Sequence, residues 1–378
     1  MVTPVSTSYT AATGVTIRGG RAAPSGNPAW MDAGVLNSWV AIPGTSGPES
    51  AGIMAVNDNG AYELNAYCGW VYVPWLKAFV VAAPGGHSDG TDNSVVALPM
   101  SQDVPRWVRL CEASVAPDAT GLSPYNPDGK PKARHTYYST LLDAARRRVL
   151  LVGARYYNAN PQTSQVVDGF STDTNTWDAA GTYPDIPVGP YGVVNDGNGD
   201  VWLWEGKNKL TLATKTLSTP TTGAVSFPPR FPWSLDTLRN ELFGLCYGQG
   251  GGDSVFLGIV ATRIKDNVHT SITFNPSAAR DQFVADVPSQ AAMHYDEAND
   301  RHLFYSGIDA AVGRIYVVTP NSGSVWDISF FPYAVGATMP VPTYAAGLNN
   351  KFTYVPEYKG FITMPDARNN VYYLKTSN

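Results

Sequence analysis

Trp70-Val-Tyr-Val-Pro-Trp-Leu-Lys-Ala-Phe-Val-Val-Ala-Ala-Pro-Gly-Gly-His87 decides the reading of this chain. An apolar run stops at Pro74, restarts after Lys77, and ends in a glycine doublet. That is a strand, a tight turn and a second strand, because proline and glycine end extended runs while valine, tyrosine and phenylalanine favour them. The unit recurs. Tyr138-Ser-Thr-Leu-Leu-Asp-Ala-Ala-Arg-Arg-Arg-Val-Leu-Leu-Val-Gly153 repeats it, and shorter copies stand at Val193 to Trp204, Leu235 to Tyr247, Met293 to Gly307 and Phe352 to Met364. The six turns are roughly 56 residues apart, about the size of one four-stranded antiparallel blade with its loops. Asp143, Asp236 and Asp296 can each bond their own turn, and Gly197 and Gly199 can supply positive φ.

Further strands follow most pairs. Ser94 to Leu98 leads to Trp107-Val-Arg-Leu110, Val166 to Phe170 leads to Thr176-Trp177, and Arg314 to Val318 leads to Val325 to Ile328. In the third unit the outer strands are expected at Leu210 to Thr214 and Ala224 to Phe227. The last unit runs out of chain after Val371 to Leu374, its third strand. Ser38 to Ile42 then supplies the missing fourth and closes a ring, which removes exposed sheet edges. The expected fold is all-β: a single propeller of about six four-stranded blades over residues 36–378. Seven is the alternative, if Ala51 to Glu63 hides another pair. Residues 1–35, rich in Thr, Ser, Ala and Gly, are expected as an extended arm that packs along the ring or docks onto an assembly partner.

Composition agrees. Of 378 residues, 44% are hydrophobic and 15% charged, so a large core can form and disorder is excluded. The 36 glycines, 29 prolines and 21 tyrosines suit short strands and turns, and no helical period persists beyond about two turns. A net charge of −5 with scattered Lys and Arg excludes a nucleic-acid partner, which needs a concentrated basic face. No apolar stretch approaches the roughly 20 residues of a membrane span. Met1 to Thr10 lack the pattern of a secretory leader, which leaves the route of export open. Cys68, Cys111 and Cys246 are widely spaced, without metal-ligand spacing, and read as small strand residues.

Pro84-Gly-Gly-His-Ser-Asp-Gly-Thr-Asp-Asn-Ser-Val-Val96 followed by Trp107, then Ala133-Arg-His-Thr-Tyr137 ahead of Asp143, then Phe170-Ser-Thr-Asp-Thr-Asn-Thr-Trp177, together resemble the kelch-like propellers related to the galactose oxidase central domain. The resemblance covers about residues 65–180; later blades lack the glycine doublet. It implies the fold and little about activity. A copper oxidase site would need Cys among histidines, and no cysteine here falls in such a cluster.

In a propeller the loops between second and third strands share a face with the segments leading into first strands. That rule gathers His87, Asp89, Asn93, Arg134, His135, Tyr137, Arg155, Tyr191, Trp233, His294 and Tyr344 around one mouth. Arginines with aromatic rings suit a glycan, and an acidic sugar in particular, since guanidinium grips carboxylate bidentately. His87, His135 and Tyr137 are the candidate catalytic groups, able to serve as base and acid in a lyase. A glycosidase would instead use two facing carboxylates, with Asp89, Asp92, Asp253, Asp309 and Asp366 as candidates.

The expected function is glycan recognition by a binding or attachment module, in the style of a phage tail-associated or cell-surface adhesin. The alternatives are a polysaccharide lyase or glycosidase acting on an acidic glycan, and a structural part of a larger assembly. No cofactor is expected beyond a structural Ca2+ in the central channel. The expected location is extracellular or virion-associated.

Overall fold

A computed structural model describes residues 8–10, 16–18, 27–54, 63–65, 67–84, 90–118, 123–153, 155–156, 162–163, 165–187, 192–203, 208–220, 232–250, 255–286, 291–306, 314–340 and 348–378. They form a single six-bladed β-propeller. Blade 1 consists of Val71–Val73, Ala78–Ala82, Val95–Pro99 and Val108–Cys111. Blade 2 is Thr140–Asp143, Arg148–Val152, Val167–Ser171 and Thr176–Trp177. Blade 3 is Val193–Asn195, Val201–Leu203, Lys209–Thr211 and Thr216–Ser218. Blade 4 has the longest strands, Trp233–Asp236, Glu241–Gly250, Val255–Lys265 and Val268–Phe274. Blade 5 is Ala292–Asp296, Arg301–Tyr305, Ile315–Thr319 and Val325–Phe330. Blade 6 joins Phe352–Val355, Gly360–Thr363 and Tyr372–Lys375 to Trp39–Ala41. The last pairing, Tyr372 with Ala41 and Leu374 with Trp39, closes the ring as expected. Each first strand touches the first strand of the next blade, and that of blade 6 touches that of blade 1.

Period-two side-chain alternation explains why the second strands are apolar throughout. Phe79 and Val81 face the seam with blade 6, while Ala78, Val80 and Ala82 face blade 2. Val149 and Leu151 complete that second cluster, and Leu150 and Val152 turn to blade 3. Leu303 and Tyr305 pack on blade 6, with Phe304 on blade 4. Both faces of a blade are covered, so both registers must be apolar. Six clusters result, one per seam; the smallest lies between blades 3 and 4, around Val194, Trp202, Leu242 and Ile264.

The turns follow their residues. Asp143 accepts the Arg146 amide (3.2 Å) and pairs with its guanidinium, and Asp236 does the same for Arg239 (2.9 Å). Val-Pro-Trp-Leu-Lys77 and Val-Pro-Glu-Tyr-Lys359 form the same 3-10 turn, each ending on a left-handed lysine. Of the two glycines expected to supply positive φ, Gly199 does (+82°). Gly197 does not; it is small because a Cβ there would come within 2.0 Å of Asn240 Oδ1.

One expectation needs correction, and two features are additional to those expected. The fourth strand of blade 3 is Thr216–Ser218, formed by an immediate turn back from Thr211; Ala224 to Phe227 lies outside the described residues. A nine-residue helix, Ala278–Asp286, follows blade 4 and buries Phe283. The outermost strands of blades 4 and 5 pair in parallel, Thr273 with Val325, so these blades share one eight-stranded sheet. Within the N-terminal arm, Ser8–Thr10 pairs with Thr16–Arg18, and the helical turn Ala29–Asp32 sits on the ring. There Trp30 is buried edge-on against Tyr358 (5.1 Å) and Tyr373 (5.3 Å).

Candidate functional site at the propeller mouth

The segments leading into blades 1 and 2 run side by side. The Tyr137 amide donates to the Tyr67 carbonyl (2.8 Å), and the Gly69 amide to Thr136 Oγ1 (3.0 Å). The approach is so close that a Cβ on Gly69 would lie 2.2 Å from the Tyr137 carbonyl oxygen. Tyr67 (φ 52°) and Tyr137 (φ 39°) are both left-handed. For a bulky side chain that costs on the order of 1–3 kcal/mol, and such strain gathers where a surface is shaped for use.

The result is an aromatic group. Tyr67 stacks on the His135 ring at 4.8 Å and 18°, and Tyr137 lies 5.2 Å from Tyr67 with its hydroxyl 3.4 Å from His135 Nδ1. Tyr67 and His135 are half-buried and Tyr137 is buried. Beneath them the axis is spanned. The Tyr138 hydroxyl donates to the Ala291 carbonyl, from blade 2 to the segment before blade 5. Asn350 Nδ2 donates to the carbonyls of Trp70 (3.1 Å) and Thr140 (3.3 Å), tying blade 6 to blades 1 and 2. The mouth therefore has a floor at this level.

Of the residues expected at the mouth, His135 and Tyr137 meet. Arg155 pairs by its backbone with His135 in a small three-stranded sheet above blade 2. His294 is half-buried on the first strand of blade 5, and burial pulls its imidazole down to about 4, so it is neutral at pH 7. Trp233 lies half-buried at the start of blade 4, its ring covering Gly244.

Two expected ligand contacts are internal instead. Arg134 is fully buried, donating to Asp168 and to the Gly153 carbonyl (3.2 Å), because a guanidinium removed from water must find acceptors within the fold. Asn93 is also fully buried; its amide bonds Ser114 Oγ (3.0 Å) and the Pro131 carbonyl (2.7 Å), and its oxygen accepts the Ser114 amide (2.8 Å). Both brace the mouth. His87, Asp89, Tyr191 and Tyr344 lie outside the described residues.

The structure adds a charged group that the sequence did not reveal. Glu49, Glu63 and Lys351 are all buried on this face, between blades 6 and 1. Lys351 donates to the Leu64 carbonyl, and Glu49 accepts the Leu64 amide (3.3 Å). One oxygen of each carboxyl has no hydrogen-bond partner among the described residues. Burial, with the charges of Glu49 and Asp92 adding, pushes Glu63 up to about 8; burial pulls Lys351 down to about 8. Glu63 is thus a neutral acid at pH 7, able to donate a proton. No motif flags it, since Tyr62-Glu-Leu-Asn-Ala66 reads as an ordinary loop. Among the described residues no group of three or more His, Cys, Asp or Glu could hold a metal.

No family model matches the chain, and no curated protein matches it. Among solved structures it is similar to one described as YjhT (12% identity, covering 82% of this chain and 93% of that one, TM-score 0.49). It is similar also to an α-L-arabinanase of Penicillium chrysogenum complexed with arabinobiose (10%, 89% and 96%, 0.42). A GH74 xyloglucanase from Xanthomonas campestris matches at 11% identity over 81% of this chain and 53% of that one, with a TM-score of 0.42. Identities this low carry nothing about activity.

Proposed function

We propose that this chain is a carbohydrate-recognising propeller, a glycan-binding or attachment module whose ligand sits at the mouth over blades 1 and 2. The observation that carries the reading is the Tyr67–His135–Tyr137 group, held by two left-handed tyrosines. Stacked rings with polar edges offer an apolar face for sugar C–H groups and hydrogen-bonding tips for hydroxyls. The fitting location is extracellular or virion-associated, with the N-terminal arm engaging assembly partners. The test is a glycan array followed by calorimetry on any hit. Tyr67→Ala and His135→Ala should each weaken binding about tenfold or more while leaving the fold intact, a loss on the scale of one ring contact. Binding unchanged in both variants sinks the reading.

A hydrolytic reading has one observation of its own, the Glu49 and Glu63 carboxyls with Glu63 protonated at neutral pH. Glycoside hydrolysis uses a pair of carboxyls, one of them a protonated acid, and Glu63 fits that acid. Release of reducing ends from a bound glycan, abolished in Glu63→Gln, would favour it over binding alone.

A further inference from the structure

The outermost strands of blades 1 and 2 enclose a cavity of about 510 Å³, away from the first strands that surround the axis. One wall is Arg109, Leu110 and Cys111; the other is the end of blade 2, where Trp177 stands beside Phe170 at 5.3 Å. Its size falls in the range of about 300–1,000 Å³ typical of small-molecule sites.

Two features set the chemistry of an occupant. First, the lining carries two buried donors that find no acceptor among the described residues, Arg109 Nε and Trp177 Nε1. A buried donor left unmade is costly, and folded proteins rarely keep one without a reason. Second, the charges on the lining are already matched. Arg109 pairs with Glu112, Lys130 with Asp128 (3.4 Å), and Asp178 with Arg148 (3.0 Å). An anion would meet three carboxylates, a cation would meet paired ones, and a hydrocarbon would leave both N–H groups orphaned.

The geometry points to a second binding site here, for a neutral sugar of one or two rings. Its oxygens accept from Arg109 and Trp177, and its C–H face lies along the apolar part of the wall. This site is distinct from the mouth and does not depend on the reading given for it.

Cys111 is a free, partly exposed thiol on the wall and reports occupancy directly. Full-length protein is alkylated with iodoacetamide, and modification of Cys111 is followed by mass spectrometry. Glucose, galactose, xylose and cellobiose are tested at millimolar concentration, against glucuronate and against no addition. At least one neutral sugar should slow Cys111 modification severalfold where glucuronate does not. Trp177→Phe, which keeps a ring and removes the donor, should weaken that protection about three- to tenfold, the worth of one hydrogen bond. Ala180→Trp, which fills the cavity from its exposed rim, should abolish it. His135→Ala should leave it unchanged, which separates this site from the mouth. No protection by any neutral sugar, equal protection by glucuronate, or protection indifferent to Trp177→Phe overturns the proposal.

Discussion

Lys351 looks in sequence like a solvated lysine beside two asparagines, yet it is 1% exposed, with Glu63 at 3% on the same face. Each is shifted toward its neutral form, and the signs decide how stability depends on pH. Glu63 holds its proton in the fold up to about 8 but loses it near 4.5 when unfolded, so its contribution is complete below 4.5 and is lost as pH rises to 8. Lys351 is neutral in the fold above about 8 and charged in the unfolded chain up to 10.5. Its contribution is therefore complete above 10.5 and is lost as pH falls toward 8. Together they give a stability minimum near pH 8. Urea midpoints measured from pH 5 to 10 should show that trough, and Glu63→Gln with Lys351→Met should flatten it. A wild-type curve without a minimum would show the two groups to be solvated. Burial of this kind is a property of the folded ring, which is why residue types at the mouth were legible and their protonation was not. Arginine and asparagine carry the same ambiguity: Arg134 and Asn93 have the chemistry of ligand contacts, and only packing reveals that Asp168, Pro131 and Ser114 already occupy them.

At the scale of the element, the second strands were legible because both their faces are buried. Ala78–Ala82 and Arg148–Val152 carry apolar runs that no solvent-facing strand would carry. Thr216–Ser218 was not legible, since an outer strand with two exposed positions looks like loop. The helix Ala278–Asp286 hid for a related reason: Ala279 and Phe283 are its only buried apolar residues, too few to print a period. His302 in blade 5 shows what a seam can impose on one side chain. It is fully buried against Phe243 (4.9 Å), Tyr295 (5.0 Å) and Trp326 (6.4 Å), with no hydrogen-bond partner for either ring nitrogen among the described residues. Burial, helped by His294 and Arg239, pulls it down to about 3. A neutral imidazole is required in the fold, so stability should be lost as pH falls from about 6.5 toward 3. His302→Phe should remove much of that acid sensitivity while changing neutral-pH stability little, read from urea midpoints at pH 7 and pH 4.5. Equal acid loss in variant and wild type would move the cause elsewhere.

At the scale of the molecule, the ring depends on a strand taken from the other end of the chain. Trp39–Ala41 pairs with Tyr372–Lys375, and Trp30 anchors the segment before it, donating its indole N–H to the Gln102 carbonyl (3.0 Å). The N-terminal segment is thereby fixed to blade 6 twice, by a β ladder and by an aromatic seat. The two fixings do different work. Without the ladder, Tyr372–Lys375 becomes an open edge that offers unpaired backbone groups to another chain. Without the seat, the edge stays paired and only buried area is lost. Trp30→Ala should therefore cost about 3–5 kcal/mol, the usual loss for a buried tryptophan, and leave a monomer. Deleting residues 1–42 should instead give oligomers or aggregate, seen by light scattering after size exclusion, in addition to a lower unfolding midpoint. A deletion variant that stays monomeric, with a midpoint no lower than that of Trp30→Ala, would mean that blade 6 is stable with three strands, and that the borrowed strand is not what holds the ring closed.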